Sequence, residues 1–252
     1  MYPEIFKIGS LAIHTYGLMI AIGIILSLYL IKIECQKKEL NGQKIVDILF
    51  WAIWIGIIGS RIFYVIYFPE EFIKDPIEFI RIWKGGLVFH GGLLFAIPFV
   101  VIMFKKENIP TLKALDVIVI FVPLAHFFGR LGCFFAGCCY GKVCEQPWAV
   151  TFKNPLTLAP KNIPLHPTQL YEAILNLFLF FVLFFTRKRL KTDGQLLSFY
   201  LVGYGIIRFV VEFFRGDLRD IWLRFSTAQW ISLALIFIGS VLLIIRIYSK
   251  KQ

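Results

Sequence analysis

Five stretches of this sequence place ionisable side chains inside almost wholly apolar surroundings. Arg61 follows Gly59-Ser60. His90 stands in Gly85-Gly86-Leu87-Val88-Phe89-His90-Gly91-Gly92, and Arg130 in Gly129-Arg130-Leu131-Gly132. His166, Gln169, Tyr171 and Glu172 fall within seven residues, and Tyr204, Arg208, Glu212 and Arg215 are spaced by four, four and three, which is one helix face. Arginines in this pattern suit a phosphate, which they bind through forked, charge-assisted donors. A histidine between glycines suits a general base with room for substrate beside it. Each group also has a structural reading. Arg208 and Glu212 read equally as an ion pair, Arg61 as a cation pinned to a carbonyl, and the glycines as close helix contacts. His126 reads as a packing residue and His14 as an interfacial one.

Four of the five cysteines form a second group. Cys133, Cys138, Cys139 and Cys144 have the spacing C-x4-C-C-x4-C, which is not the paired C-x2-4-C pattern of common zinc sites. The spacing reads first as a disulfide or buried structural thiols, then as catalysis or a metal. Cys35 reads as a plain thiol.

These residues must be positioned by membrane helices. Of 252 residues 58% are hydrophobic, 17% are charged and 27 are Phe. A soluble domain is about 45–50% apolar and about 25% charged, so a soluble enzyme, a disordered chain and a disulfide-stapled module are excluded. Seven segments are long and apolar enough to span a bilayer, near 15–34, 48–67, 87–104, 113–129, 170–186, 196–214 and 227–245. The expected fold is therefore an all-α integral membrane protein in one polytopic domain over 1–252. The segments 32–44, 105–113, 187–195 and 246–252 hold 14 Lys/Arg in 38 residues, against 11 in 83 for the alternate set. The positive-inside rule then puts the N-terminus outside and the C-terminus in the cytoplasm. The start lacks a basic stretch and a cleavage site, so the first span is expected to be retained. Residues 68–84 are expected to form an extracytoplasmic arm, with a surface helix from Pro76. Residues 137–167 are expected to form a small head, with strand character at Trp148–Phe152. The net charge of +11 suits an anionic leaflet, and no nucleic-acid motif accompanies it.

With this topology the polar positions lie at one level. Tyr16, His90, Arg130 and His166 sit at outer ends, and Arg61, Arg208 and Glu212 in outer halves. A transport path more often carries polar groups to the midplane and beyond. A one-sided cluster favours a chemical site toward the outer leaflet over a lipid or anion transporter. A thiol oxidoreductase built on the cysteines is the third reading.

At these residues the sequence resembles the bacterial prolipoprotein diacylglyceryl transferase family. The resemblance runs in order through His14-Thr15-Tyr16-Gly17, Gly59-Ser60-Arg61, Gly86-Leu87-Val88-Phe89-His90-Gly91-Gly92 and Gly129-Arg130-Leu131-Gly132. It continues through His166-Pro167-Thr168-Gln169-Leu170-Tyr171-Glu172 and Tyr204-Gly205-Ile206-Ile207-Arg208 to Glu212 and Arg215. It implies transfer of diacylglyceryl from phosphatidylglycerol to the lipobox cysteine of a prolipoprotein signal peptide, with membrane lipids around it. The resemblance also implies a setting in the bacterial cytoplasmic (inner) membrane, with no metal or redox cofactor expected. On matching positions His90 is the base candidate. Arg130 and Arg208, then Arg215, are the candidate phosphate clamp, with Glu212 to orient Arg208 or Arg215 and Tyr16 and Tyr204 as donors to phosphate or glycerol oxygens. Arg61 and Gly141 join the substrate-binding set. The family pattern has Asn at position 133, Asn at 136 and an acid at 138, whereas this chain has Cys133, Ala136 and Cys138. Cys133 is therefore expected at the substrate site without the contact an amide would make.

Overall fold

The computed structural model describes residues 3–8, 11–81, 85–190, 192–217 and 221–248. In chain order these form β1 (Glu4–Ile8), β2 (Leu11–His14), α1 (Thr15–Lys37), α2 (Gly42–Tyr67), α3 (Pro69–Lys74) and a 3-10 turn at Pro76–Phe79. After the turn come α4 (Phe89–Lys106), α5 (Thr111–Ala136), β3 (Val150–Thr151), β4 (Pro164–Leu165), α6 (Thr168–Thr186) and α7 (Gln195–Glu212). The order ends with β5 (Ile221–Trp222), β6 (Phe225–Ser226) and α8 (Thr227–Tyr248). Among the described residues all helices but α3 are long and apolar enough to cross a membrane, seven in total, as expected. The strands make three antiparallel pairs, β1 with β2, β3 with β4 and β5 with β6.

The differences from expectation have local causes. The fourth span does not stop at 129: α5 continues to Ala136, so Arg130 lies inside a helix rather than at its end. The sixth span stops at Glu212, which leaves Arg215 beyond the helix. The arm holds α3 and one 3-10 turn rather than a surface helix from Pro76, and residues 82–84 lie outside the described residues. In the head Val150–Thr151 pairs with Pro164–Leu165, flanked by single bridges between Val143 and Leu165 and between Phe152 and Lys161.

The chain divides into two compact units, residues 31–114 and the remainder. In the larger unit small residues bring helices close, as expected where lipid offers no hydrophobic drive to association. Gly205 of α7 abuts Ser232 and Ile236 of α8, Gly239 of α8 abuts Leu201, and Gly23 of α1 abuts Ala125 and Phe128 of α5. Ser27 Oγ donates to the Phe121 carbonyl at 3.2 Å. In the smaller unit Gly59 of α2 lies against Gly91 and Phe95 of α4.

The start of α7 is capped from another helix. Asp116 accepts from Gly194 N at 2.7 Å and Leu197 N at 2.8 Å, satisfying donors that the helix itself cannot, with a negative charge at its positive end. Asp116→Ala is expected to cost about 2 kcal/mol, the scale of hydrogen bonds to a charged group. The check is a lower melting temperature of the detergent-solubilised protein; an unchanged one contradicts the cap.

Candidate active site

Glu172, in the second turn of α6, is completely buried. Its Oε1 lies 2.9 Å from Arg130 Nη2 of α5 and 3.4 Å from His126 Nε2. Its Oε2 lies 3.2 Å from Arg208 Nη1 of α7, and Arg208 Nη2 lies 2.8 Å from Glu212 Oε2 one turn on. Arg130 Nε lies 3.1 Å from His126 Nε2, the same ring nitrogen that faces Glu172. The Tyr204 ring lies 5.4 Å from His126 between centroids. Three helices thus meet at one carboxylate. Two guanidiniums and two carboxylates balance in charge, the condition under which such groups tolerate burial. A guanidinium carries five N–H donors. The acids therefore set the orientation of both arginines without exhausting what they can give to a phosphate.

Neighbouring elements hold this core. Ser226 caps α8 reciprocally with Gln229: Gln229 N donates to Ser226 Oγ at 3.2 Å and Ser226 N to Gln229 Oε1 at 3.0 Å. The same hydroxyl donates to Glu212 Oε1 at 2.8 Å, so the cap of α8 fixes the acid that fixes Arg208. At the start of α6, Thr168 Oγ1 donates to the Cys139 carbonyl and Gln169 Nε2 to the Cys138 carbonyl, both at 2.8 Å. The first turn of α6, which leads into Glu172, therefore also grips residues 138–139.

Those residues belong to a chain reversal at Gly137, whose φ of +76° is followed by +62° at Cys139. An added side chain at Gly137 would collide with Thr157. A β-carbon residue at positive φ is uncommon and costs free energy that the surroundings must offset. The reversal brings the sulfurs of Cys133, Cys138 and Cys139 within 4.8 Å of one another. Cys144 has moved on, its N–H donating to the Pro164 carbonyl. All five cysteines are free thiols. The Cys139 thiol is held below the usual thiol range by hydrogen bonds from Cys133 and Cys138, with the Arg215 and Arg130 guanidiniums adding to the effect.

Arg215 is buried and forked onto Asp217, at 2.9 and 2.7 Å, rather than onto Glu212. It bridges to Gly141, where backbone segments cross: Gly141 N donates to His166 O at 3.0 Å and Lys142 N to Phe214 O at 2.9 Å. A β-carbon at 141 would stand 2.5 Å from His166 Cβ. Tyr16 is exposed in the first turn of α1, whose backbone abuts Gly132 of α5.

In the smaller unit His90 is exposed in the first turn of α4. The segment leading to it is held from α2: Arg61 donates to the carbonyls of Phe79, Gly85 and Gly86 at 3.1, 2.9 and 2.9 Å, and Val88 N donates to Ser60 O at 3.1 Å. The Arg61 guanidinium also lies over the Tyr64 and Phe72 rings. These contacts tie Arg61 to the segment that runs into the start of α4.

A family model described as prolipoprotein diacylglyceryl transferase matches residues 3–245. The chain belongs to that family. A phosphatidylglycerol--prolipoprotein diacylglyceryl transferase of Clostridium tetani is 40% identical over 240 residues, 95% of each chain. One from Wolbachia of Brugia malayi is 37% identical over 258 residues, 98% of this chain and 96% of its own. One from Pasteurella multocida is 34% identical, covering 99% of this chain and 94% of its own. These matches favour the transferase reading over transport and mark a multi-pass bacterial membrane protein. Within this diacylglyceryl transferase family member, the structure brings Arg130, Arg208, Glu212 and Tyr204 together and adds two groups outside the expected site set, Glu172 and His126. Glu172 was visible as a carboxylate within a span. His126 is one turn before Arg130, a spacing that puts both side chains on one helix face.

Proposed function

We propose that this protein transfers the diacylglyceryl group of phosphatidylglycerol to the lipobox cysteine thiol of prolipoproteins at the outer leaflet of the cytoplasmic membrane. The observation that carries the reading is the pair of arginines held on one buried carboxylate, Arg130 and Arg208 on Glu172. The names of the relatives supply the substrates, and the basic bias of one set of loops supports the orientation.

In this reaction the thiol loses its proton and sulfur forms a bond to the terminal glyceryl carbon. The carbon–oxygen bond to phosphate breaks, and glycerol-1-phosphate leaves. The phosphate goes from a singly charged diester to a more highly charged monoester, so charge grows where Arg130 and Arg208 can meet it. A thiol ionises near pH 8.5 in water and with more difficulty near lipid, which makes a base useful. His90, at the exposed start of α4, is the base, and Arg61 holds the segment that presents it.

The test uses purified protein, phosphatidylglycerol and a synthetic lipobox peptide, read by mass spectrometry. One diacylglyceryl adduct on the Cys peptide and none on its Cys→Ser counterpart supports the transferase. No adduct, with a relative active in parallel, overturns it. For His90→Gln the expected loss is about 100- to 10,000-fold, the usual range of general-base contributions. The loss shrinks as pH rises and the peptide thiol ionises unaided. A deficit that stays constant with pH rejects His90 as the base.

A further inference from the structure

Transfer of a diacylglyceryl group to a substrate thiol does not call for three protein thiols at one point. Yet the sulfurs of Cys133, Cys138 and Cys139 lie within 4.8 Å of one another. A metal–sulfur bond of about 2.3 Å puts the thiolates of one metal centre about 4 Å apart, so a small closing movement completes the geometry. The arrangement is built rather than incidental. Cys139 adopts a left-handed backbone, and Thr168 and Gln169 of α6 clamp the carbonyls of Cys139 and Cys138 at 2.8 Å. Such outer contacts fix ligand-bearing residues before an ion arrives. Gln169 is 1% exposed, and its Oε1 has no hydrogen-bond partner among the described residues. Three thiolates on a divalent ion leave one net negative charge; the Arg130 and Arg215 guanidiniums, though paired with Glu172 and Asp217, still lie close enough to act on Cys139. Soft sulfur ligands select zinc-class or copper(I) ions over hard ones.

We propose that Cys133, Cys138 and Cys139 form a binding site for a single Zn2+ ion, with three protein thiolates and a fourth position completed by water. The ion ties the last turns of α5, through Cys133, to the reversal at 138–139, beside Arg130. Each thiol gives up its proton to solvent on binding, so affinity rises with pH.

The experiment takes the full chain in detergent, tag-free and reduced with a phosphine, and titrates it with Zn2+. One equivalent retained through gel filtration, three sulfur neighbours by X-ray absorption and a raised melting temperature are expected. A Cys133→Ala/Cys138→Ala/Cys139→Ala variant that elutes as the parent does is expected to retain none, while Cys35→Ala/Cys144→Ala retains the full equivalent. A further measurement needs no variant: Zn2+ is expected to slow maleimide labelling of Cys138 and Cys139 at least tenfold. Sub-stoichiometric retention, undiminished binding by the triple variant, unprotected thiols or a pair that stays oxidised under the phosphine overturns the site. None of these readouts depends on transferase activity, so they stand or fall apart from the function proposed above.

Discussion

Glu172→Gln is expected to lower turnover about 100- to 1,000-fold, the scale set when one partner of a buried ion pair is removed. The substitution keeps the shape and takes away one charge. It leaves Arg130 and Arg208 without the carboxylate now 2.9 and 3.2 Å from them. The two cations then repel, and each turns toward whatever oxygen remains, Glu212 in the case of Arg208. Loss of preorganisation acts on kcat more than on KM, because the arginines matter most as phosphate charge grows. Steady-state kinetics with the lipobox peptide, on protein shown to elute as a single species in detergent, checks this. Activity within threefold of the parent would remove Glu172 from the site. The double variant Glu172→Gln/Arg208→Lys is expected to lose much less than the product of the single losses, since both act through one contact network.

Arg130→Lys is the second large effect, with an expected fall of about 100-fold, comparable to removing one oxyanion donor. Lysine keeps the charge but presents it from a single nitrogen. Arg130 uses Nε on His126 and Nη2 on Glu172 at once, with another Nη still available to point elsewhere. An ammonium cannot span those directions. The comparison that decides the matter is kcat/KM for phosphatidylglycerol in Arg130→Lys against Arg130→Ala. If lysine restores nearly full activity, charge alone suffices and the forked geometry has no role.

Much of this site was legible along the chain because membrane sequences make polar residues conspicuous. An arginine or glutamate inside an apolar run is expensive in lipid, so Arg130, Arg208, Glu172 and Glu212 stand out from composition alone. The Tyr204, Arg208 and Glu212 spacing correctly placed them on one face of α7. The same spacing extended to Arg215 failed, because α7 ends at Glu212 and Arg215 turns back to bridge Gly141 and pair with Asp217. The regular period could not reveal that end, since what stops the helix is backbone pairing with a segment more than seventy residues earlier. The capping box at Ser226 and Gln229 was readable as Ser-x-x-Gln, but its link to Glu212 was not.

The cysteines show the same division. Spacing groups four of them; the fold joins three and sends Cys144 to pair beside Pro164. The cause is the reversal at Gly137, whose N–H donates back to the Cys133 carbonyl at 2.9 Å. The seven helices, their apolar faces and the identities of the charged groups follow from the sequence by itself, because burial in lipid is a property each segment expresses alone. Which acid holds which arginine was decided only by tertiary structure. Glu172 is 36 residues from Arg208 and meets it across two helices. Such a contact depends on how small residues let helices approach and on which carboxylate a guanidinium reaches first, and neither is a property of a segment alone.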